Sequence, residues 1–170
     1  MAISQVPGII RLMKGNPVRK ILSKLTKAYL AGLIDGDGAI MACIERHREK
    51  KFHFRVRVNI KISQNEERIL KWVKKVSGFG YIRHNRTQYE WNSFDQEKIR
   101  KFLEILLPYL KIKRSQAKLA IKILNSEIKT LANLIKIARL ADALAKLNVR
   151  SKGRRKNFAT MIQESISPND

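Results

Sequence analysis

Apolar and polar residues alternate almost without fault over positions 52–63. Phe54, Val56, Val58, Ile60 and Ile62 fall on one side, and His53, Arg55, Arg57, Asn59 and Lys61 on the other. A period of two marks a half-buried strand. Positions 39–46 carry the same period, with Ile40, Ala42 and Ile44 in the core phase and Met41, Cys43 and Glu45 opposite. The charged stretch 47–51 reads as the turn between them. A second hairpin is predicted over 80–86 and 88–93, where Tyr89 and Trp91 alternate with Gln88, Glu90 and Asn92, and Ile82 stands beside Arg83. Tyr89 and Trp91 read as core residues rather than as stacking platforms for bases.

Between and after the strands the period changes to that of helices. The spacing predicts a first helix over 24–36 with Ser23 as its N-cap. A second, opened at Ser63 or Asn65, carries Glu66 and Glu67 in its first turn, where the dipole favours acids. Its apolar stripe is Ile69, Leu70, Val73 and Val76, and Ser77-Gly78 ends it. Ser93-Phe94-Asp95-Gln96 resembles a capping box opening a third helix, with Ile99, Phe102, Leu103 and Leu106 inward and Pro108 as its stop. Further helices are predicted over 115–125 (Ala117, Ala120, Ile121, Leu124), 131–147 (Leu134, Ile135, Ala138, Ala141, Leu144) and, shorter, 158–166. The order is α-β-β-α-β-β-α with additional C-terminal helices, an α+β class. Residues 1–22 read as a basic extension, 23–166 as one domain without internal repeat or linker, and 167–170 as a polar tail.

Charge changes the picture from a fold to a partner. Thirty-six Lys and Arg stand against 14 Asp and Glu in 170 residues, a net charge of +22. Such an excess points to a polyanion. No apolar run is long enough to span a bilayer, which argues against a membrane partner. The one cysteine, Cys43, allows no intramolecular disulfide and suits a reducing compartment. The outward phase of the long strand then takes on meaning. Arg, Lys and Asn are base-edge readers, and a two-stranded ribbon fits the major groove of DNA. Arg150 to Lys156, including Arg154 and Arg155, is a basic run suited to phosphates, and the acid-free N-terminus suits a DNA-touching arm more than a targeting peptide.

The chemistry concentrates at Leu30-Ala31-Gly32-Leu33-Ile34-Asp35-Gly36-Asp37-Gly38, where an apolar helix runs into two acids. Ala28, Gly32 and Gly36 recur every four residues and so share a helix stripe. A stripe of small residues lets a second helix approach closely. Each glycine weakens the helix by about 1 kcal/mol, which close packing can offset. Asp37, placed at the negative end of the helix dipole, is better accommodated if a cation arrives. Only one such stretch is present, so a helix built to pack on its like implies a homodimer with a self-complementary contact. That contact would set two copies of Asp37 side by side, and divalent ions would relieve their repulsion.

This nine-residue stretch, together with the α-β-β-α-β-β-α order, resembles the LAGLIDADG homing endonucleases, with Gly36 standing between the acids. The resemblance implies a saddle-shaped antiparallel sheet that sits on DNA, backed by helices. It implies cleavage of both strands of a long, roughly palindromic site, about 20 bp for two saddles at ~10 bp per turn, leaving short 3′ overhangs. By the same resemblance Asp37 is the metal ligand, the Gly36 carbonyl completes the shell, and Asp35 is a helix-end and interface residue with Ala28 and Gly32. Gln64 matches a residue that orders water near the scissile phosphate, Lys113 a lysine over the active centre, and Arg68 a further basic residue there. Mg²⁺ is the expected cofactor, with Mn²⁺ or Ca²⁺ as substitutes in the site. Expected base readers are Arg55, Arg57, Asn59, Lys61, Arg83, Asn85, Glu90 and Asn92, with Met41, Cys43, Glu45 and His53. The expected partners are double-stranded DNA and a second copy of the chain. Host introns in mitochondria, chloroplasts or prokaryotes are all compatible. The alternatives are a maturase acting on intron RNA, as some members of the family are, or a non-cleaving DNA-binding regulator.

Overall fold

The computed structural model describes residues 22–148 and 157–166. The proposed extension up to residue 21, the basic run with Arg154 and Arg155, and the tail 167–170 lie outside the described residues. The elements run α1 (Lys24–Asp37), β1 (Gly38–Arg46), β2 (Phe54–Gln64), α2 (Glu67–Ser77), β3 (Tyr81–Asn85), β4 (Gln88–Ser93), α3 (Gln96–Leu106), α4 (Arg114–Leu124), α5 (Leu131–Leu147) and α6 (Phe158–Ile166). The strands form one open antiparallel sheet in the order β1-β2-β4-β3. The α+β class and the order of its first seven elements are as expected.

Two hairpins build the sheet, and β4 returns to pair with β2, so the long alternating strand lies near the centre. Its apolar phase is covered. Phe54, Val58, Ile60 and Ile62 are buried with Ile40 and Ile44 of β1, Trp91 of β4, Leu30 and Ile34 of α1, and the inward residues of α2, α3, α4 and α5. The helices therefore stack on one face and leave the other, polar phase open. A period of two makes this division absolute, since a slip by one residue would exchange the faces.

Several local signals act differently from the sequence reading. β2 begins at Phe54, not at 52, because His53 turns the chain with φ 57° and its ring Nδ1 lies 3.2 Å from the Arg48 carbonyl. His53 thus belongs to the hairpin turn and not to the outward row of the strand. α2 is capped by Glu66 without a side-chain bond, since Ser63 lies in β2 and Asn65 is outside the helix. The cap of α3 is Asp95, whose carboxylate accepts from the Lys98 amide at 3.1 Å. Gln96, predicted to close a capping box, instead receives the Val58 amide and donates to the Val58 carbonyl, both at 2.8 Å. It satisfies the β2 backbone just where β4 stops pairing. A reciprocal box does form at α5, between Thr130 and Asn133. The stripes of α4 and α5 are turned slightly: Ile123 and Ile137 are buried, whereas Ile121, Leu124 and Ile135 lie at the margin.

Two glycines are required by the chain itself. A Cβ on Gly38 would stand 2.7 Å from the Ile34 backbone, so the helix can turn directly into β1 only without one. Gly80 has φ +83°, and a Cβ there would lie 2.4 Å from Trp91 Nε1. That indole is fully buried and donates to the Phe79 carbonyl at 3.1 Å. The C-terminal helices are tied down by polar groups. Asn148 donates to the Ile40 carbonyl at 2.7 Å, and the Asp142 carboxylate accepts the first amides of α6, from Phe158 at 2.7 Å and Ala159 at 3.1 Å.

Candidate active site and nucleic-acid interface

The helix-to-strand junction carries the first cluster. Asp37 is the last residue of α1 rather than the residue beyond it, and it is exposed. The β1–β2 register sets Gly38 opposite Ile62. Gln64, two residues further along β2, is thereby brought to Asp37 and donates from Nε2 to Oδ2 at 2.6 Å. The Asp37 carboxylate, exposed at the negative end of a helix, and the carbonyl of the neighbouring, exposed Gly36 are hard oxygens of the kind Mg²⁺ takes. Among the described residues no group of three or more His, Cys, Asp or Glu gathers to hold a metal. Asp37 and the Gly36 carbonyl would be part of a shell, fitting an ion that keeps water and phosphate oxygens as its remaining ligands.

Asp35 does something different from Asp37. It is buried, and both carboxylate oxygens are engaged: Oδ2 accepts from the Lys111 amide at 2.7 Å and Oδ1 from the Lys113 amide at 2.8 Å. The Lys113 ammonium donates to the Asp35 carbonyl at 2.5 Å. Asp35, expected as a helix-end and interface residue, bonds with both carboxylate oxygens inside its own chain and pins the α3–α4 connection to α1. This brings Lys113 to the motif across 78 positions of sequence. Arg68 is exposed and shares with Gln64, Tyr29, Leu33 and Trp72 an open groove beside the junction.

The opposite side of α1 is uncovered by the described residues. Ala28, Gly32 and Gly36 are exposed, and a Cβ on either glycine would meet nothing within 4 Å. Nothing among the described residues demands glycine there. Leu25 is 84% and Tyr29 54% exposed on the same helix, with Tyr29 set edge-on to Trp72 at 5.2 Å. Tyr29 and Trp72 were missed in the sequence reading. Their signal was a large aromatic on the side of α1 away from Leu30 and Ile34.

The open sheet face assembles the second cluster. Across β1 and β2 the register sets Met41 opposite Asn59, Cys43 opposite Arg57 and Glu45 opposite Arg55. Across β2, β4 and β3 it aligns Lys61 with Asn92 and Tyr81, and Arg83 with Glu90. The expected polar row is thus one continuous surface, but two of its members are not open. Glu90 and Asn92 are each 3% exposed. Glu90 lies beneath three donors: Lys61 Nζ at 2.9 Å, Arg83 Nε at 2.8 Å and Asn85 Nδ2 at 3.0 Å. Burial opposes its ionisation, yet the bonds from Lys61, Asn85 and Arg83 prevail and hold the carboxyl down at about 2. Glu90 therefore orients the cations around it and has no acceptor aimed at solvent. Glu45 is likewise paired, with Arg55 and Arg57. The Arg55 bond, against a smaller effect of burial, holds its carboxyl below the usual range.

A carboxylate at the end of a small-residue helix, on the rim of a cation-lined antiparallel sheet, is now in view. Residues 30–119 match the family model described as LAGLIDADG endonuclease. The chain belongs to the LAGLIDADG endonuclease family. It is 32% identical to the DNA endonuclease I-CvuI of Chlorella vulgaris over 84% of this chain and 88% of that one. It is 30% identical to the DNA endonuclease I-CreI of Chlamydomonas reinhardtii, over 82% and 89% of the two chains. A crystal structure of I-CvuI on an I-CreI target in the presence of magnesium superposes with a TM-score of 0.74 at 33% identity, covering 82% of this chain and 91% of that one. I-CvuI has also been solved on its own target in the presence of calcium. Within this LAGLIDADG chain the second acid of the motif is the exposed Asp37, and the family match spans Asp35, Asp37, Gln64 and Lys113.

Proposed function

We propose that this chain is a site-specific, divalent-metal-dependent DNA endonuclease that cuts both strands of a roughly palindromic site as a symmetric dimer, leaving short 3′ overhangs. The observation that carries the reading is Asp37. It is exposed at the end of a helix whose Gly32 and Gly36 face no neighbour among the described residues, as a face kept for a second helix would. A twofold partner on Ala28, Gly32 and Gly36 brings a second Asp37 alongside, completing an acidic pair that one chain lacks. The same operation extends the two cationic sheet faces along one duplex.

Asp37 and the Gly36 carbonyl would hold the ion, which when bound supplies Lewis-acid charge at the scissile phosphate and lowers the pKa of water. The chain's own groups do the positioning. Gln64 fixes Asp37 with one amide N–H, leaving its other N–H and its carbonyl to orient the attacking water. Water adds to phosphorus in line and the 3′-oxygen leaves. Lys113, held against the Asp35 carbonyl, places a positive charge beside the developing negative charge on the phosphoryl oxygens. Arg68, exposed in the adjoining groove, would meet the phosphate backbone.

The test is selection of a cleavable site from a randomised palindromic library with Mg²⁺, alongside Asp37→Asn. Cuts should appear with the unaltered chain and require the divalent ion. Asp37→Asn should bind the same site and cut it at least about a thousand-fold more slowly, a loss of about 4 kcal/mol of barrier lowering. Equal cutting by both proteins would remove Asp37 from the chemistry.

A further inference from the structure

Away from Asp37, the far end of the open face holds a contact that no strand pattern indicated. The Arg57 guanidinium lies over the Phe94 ring, 5.2 Å from its centroid, and its NH2 group is 3.0 Å from Glu45 Oε1. The same Oε1 accepts from Arg55 Nε at 2.7 Å. Arg57 Nε is buried and has no hydrogen-bond partner among the described residues. Phe94 remains 40% exposed although it is a large apolar side chain. It follows β4 directly, where the strand stops pairing with β2.

We propose that Glu45 and Phe94 are positioning residues that fix Arg57, with Arg55 beside it, as a reader of guanine in the outer part of each half-site. This rests on the DNA-cleavage reading above. An arginine free in water loses much rotamer freedom when it docks, whereas a guanidinium already stacked and ion-paired loses little. The ring fixes the plane of the guanidinium, and the carboxylate fixes its rotation. Nε is buried and one NH2 hydrogen is engaged, so the remaining terminal N–H groups are the ones left for a ligand. Two parallel donors in one plane match guanine O6 and N7 in the major groove.

The register also places the contact. Arg57 lies across from Cys43, five residues past Gly38. At ~3.3 Å per residue that is roughly 17 Å from the Asp37 end, or about five base pairs at ~3.4 Å each. Arg55, across from Glu45, lies about two base pairs further out.

The experiment measures competition binding of the full chain, in Ca²⁺, to its selected site and to a panel with each base pair changed in turn. The unaltered chain should favour guanine near the fifth to seventh pair out by on the order of tenfold to a hundredfold, and Arg57→Ala should abolish that preference. Phe94→Ala and Glu45→Gln should each cut it to below about threefold there, with discrimination closer to the cut retained. Phe94→Tyr, which keeps the ring, should restore it. Thermal unfolding and circular dichroism verify that each variant is folded. Preferences unchanged in Phe94→Ala and Glu45→Gln would overturn the proposal, as would a folded variant whose discrimination falls equally at every position. Binding by the unaltered chain without any base preference is a separate result, and it would overturn the nuclease reading together with this inference.

Discussion

Replacing Asp35 by Ala removes the acceptor of two amides at once. The Lys111 and Lys113 N–H groups reach its carboxylate at 2.7 and 2.8 Å in a partly buried site. Leaving a buried donor unsatisfied costs about 1–3 kcal/mol, so two should cost about 4 kcal/mol. Asp35→Asn keeps one acceptor and turns an NH₂ group toward the other amide, for about 2–3 kcal/mol. Urea unfolding at fixed protein concentration reads this directly. With a slope of about 2 kcal/mol per molar, Asp35→Ala should lower the midpoint by about 2 M and Asp35→Asn by about 1 M. A second readout separates stability from positioning. Lys113 is held on the Asp35 carbonyl by the segment those amides anchor, so single-turnover cleavage by folded Asp35→Asn should fall about tenfold or more, with affinity for the site kept. An unchanged urea midpoint for Asp35→Ala would refute the reasoning, because it would mean that the amides find other partners at no cost.

Other consequences concern the sheet and the glycine face of α1. Glu90 has its folded carboxyl at about 2 against an ordinary 4.5, so its contribution is complete above about 4.5 and is lost as pH falls toward 2. With half-exposed Arg83 and Lys61 as partners, screening leaves about 1–2 kcal/mol of it. The stability gap between the unaltered chain and Glu90→Gln should therefore close between pH 5 and pH 2.5 in chemical denaturation, and a gap independent of pH would contradict the assignment. Gly80→Ala combines a left-handed backbone with a Cβ driven into Trp91, so it should cost about 2–4 kcal/mol in thermal or urea unfolding. A Cβ at Gly32 would meet nothing within 4 Å among the described residues, and Gly32→Leu points its side chain out from there. It should leave the fold intact while halving the mass seen by light scattering, and an unchanged mass would count against pairing through this face.

The sequence by itself determined which face of each strand is which. Alternation along β2 commits Val58, Ile60 and Ile62 to the core and Arg55, Arg57, Asn59 and Lys61 to the open side, because a side-chain period of two leaves no third choice. It likewise marked Asp37, since an acid closing a glycine-striped helix is legible without coordinates. What it could not determine was which polar groups pair, because pairing depends on strand order and register across distant segments. That β4 rather than β3 lies beside β2 is what sets Glu90 under Lys61, Arg83 and Asn85 and makes a supposed base reader a buried anchor. The two acids of the motif look alike in sequence, yet one meets the amides of 111 and 113 and the other meets Gln64 and solvent. His53 left its strand row because the hairpin needed a left-handed residue there, and Gln96 left its cap because the β2 backbone needed a partner. In each case the local pattern stated a preference, and an unsatisfied backbone or carboxylate group brought close by the fold outweighed it, since leaving such a group unpaired costs more than a cap or a turn propensity is worth.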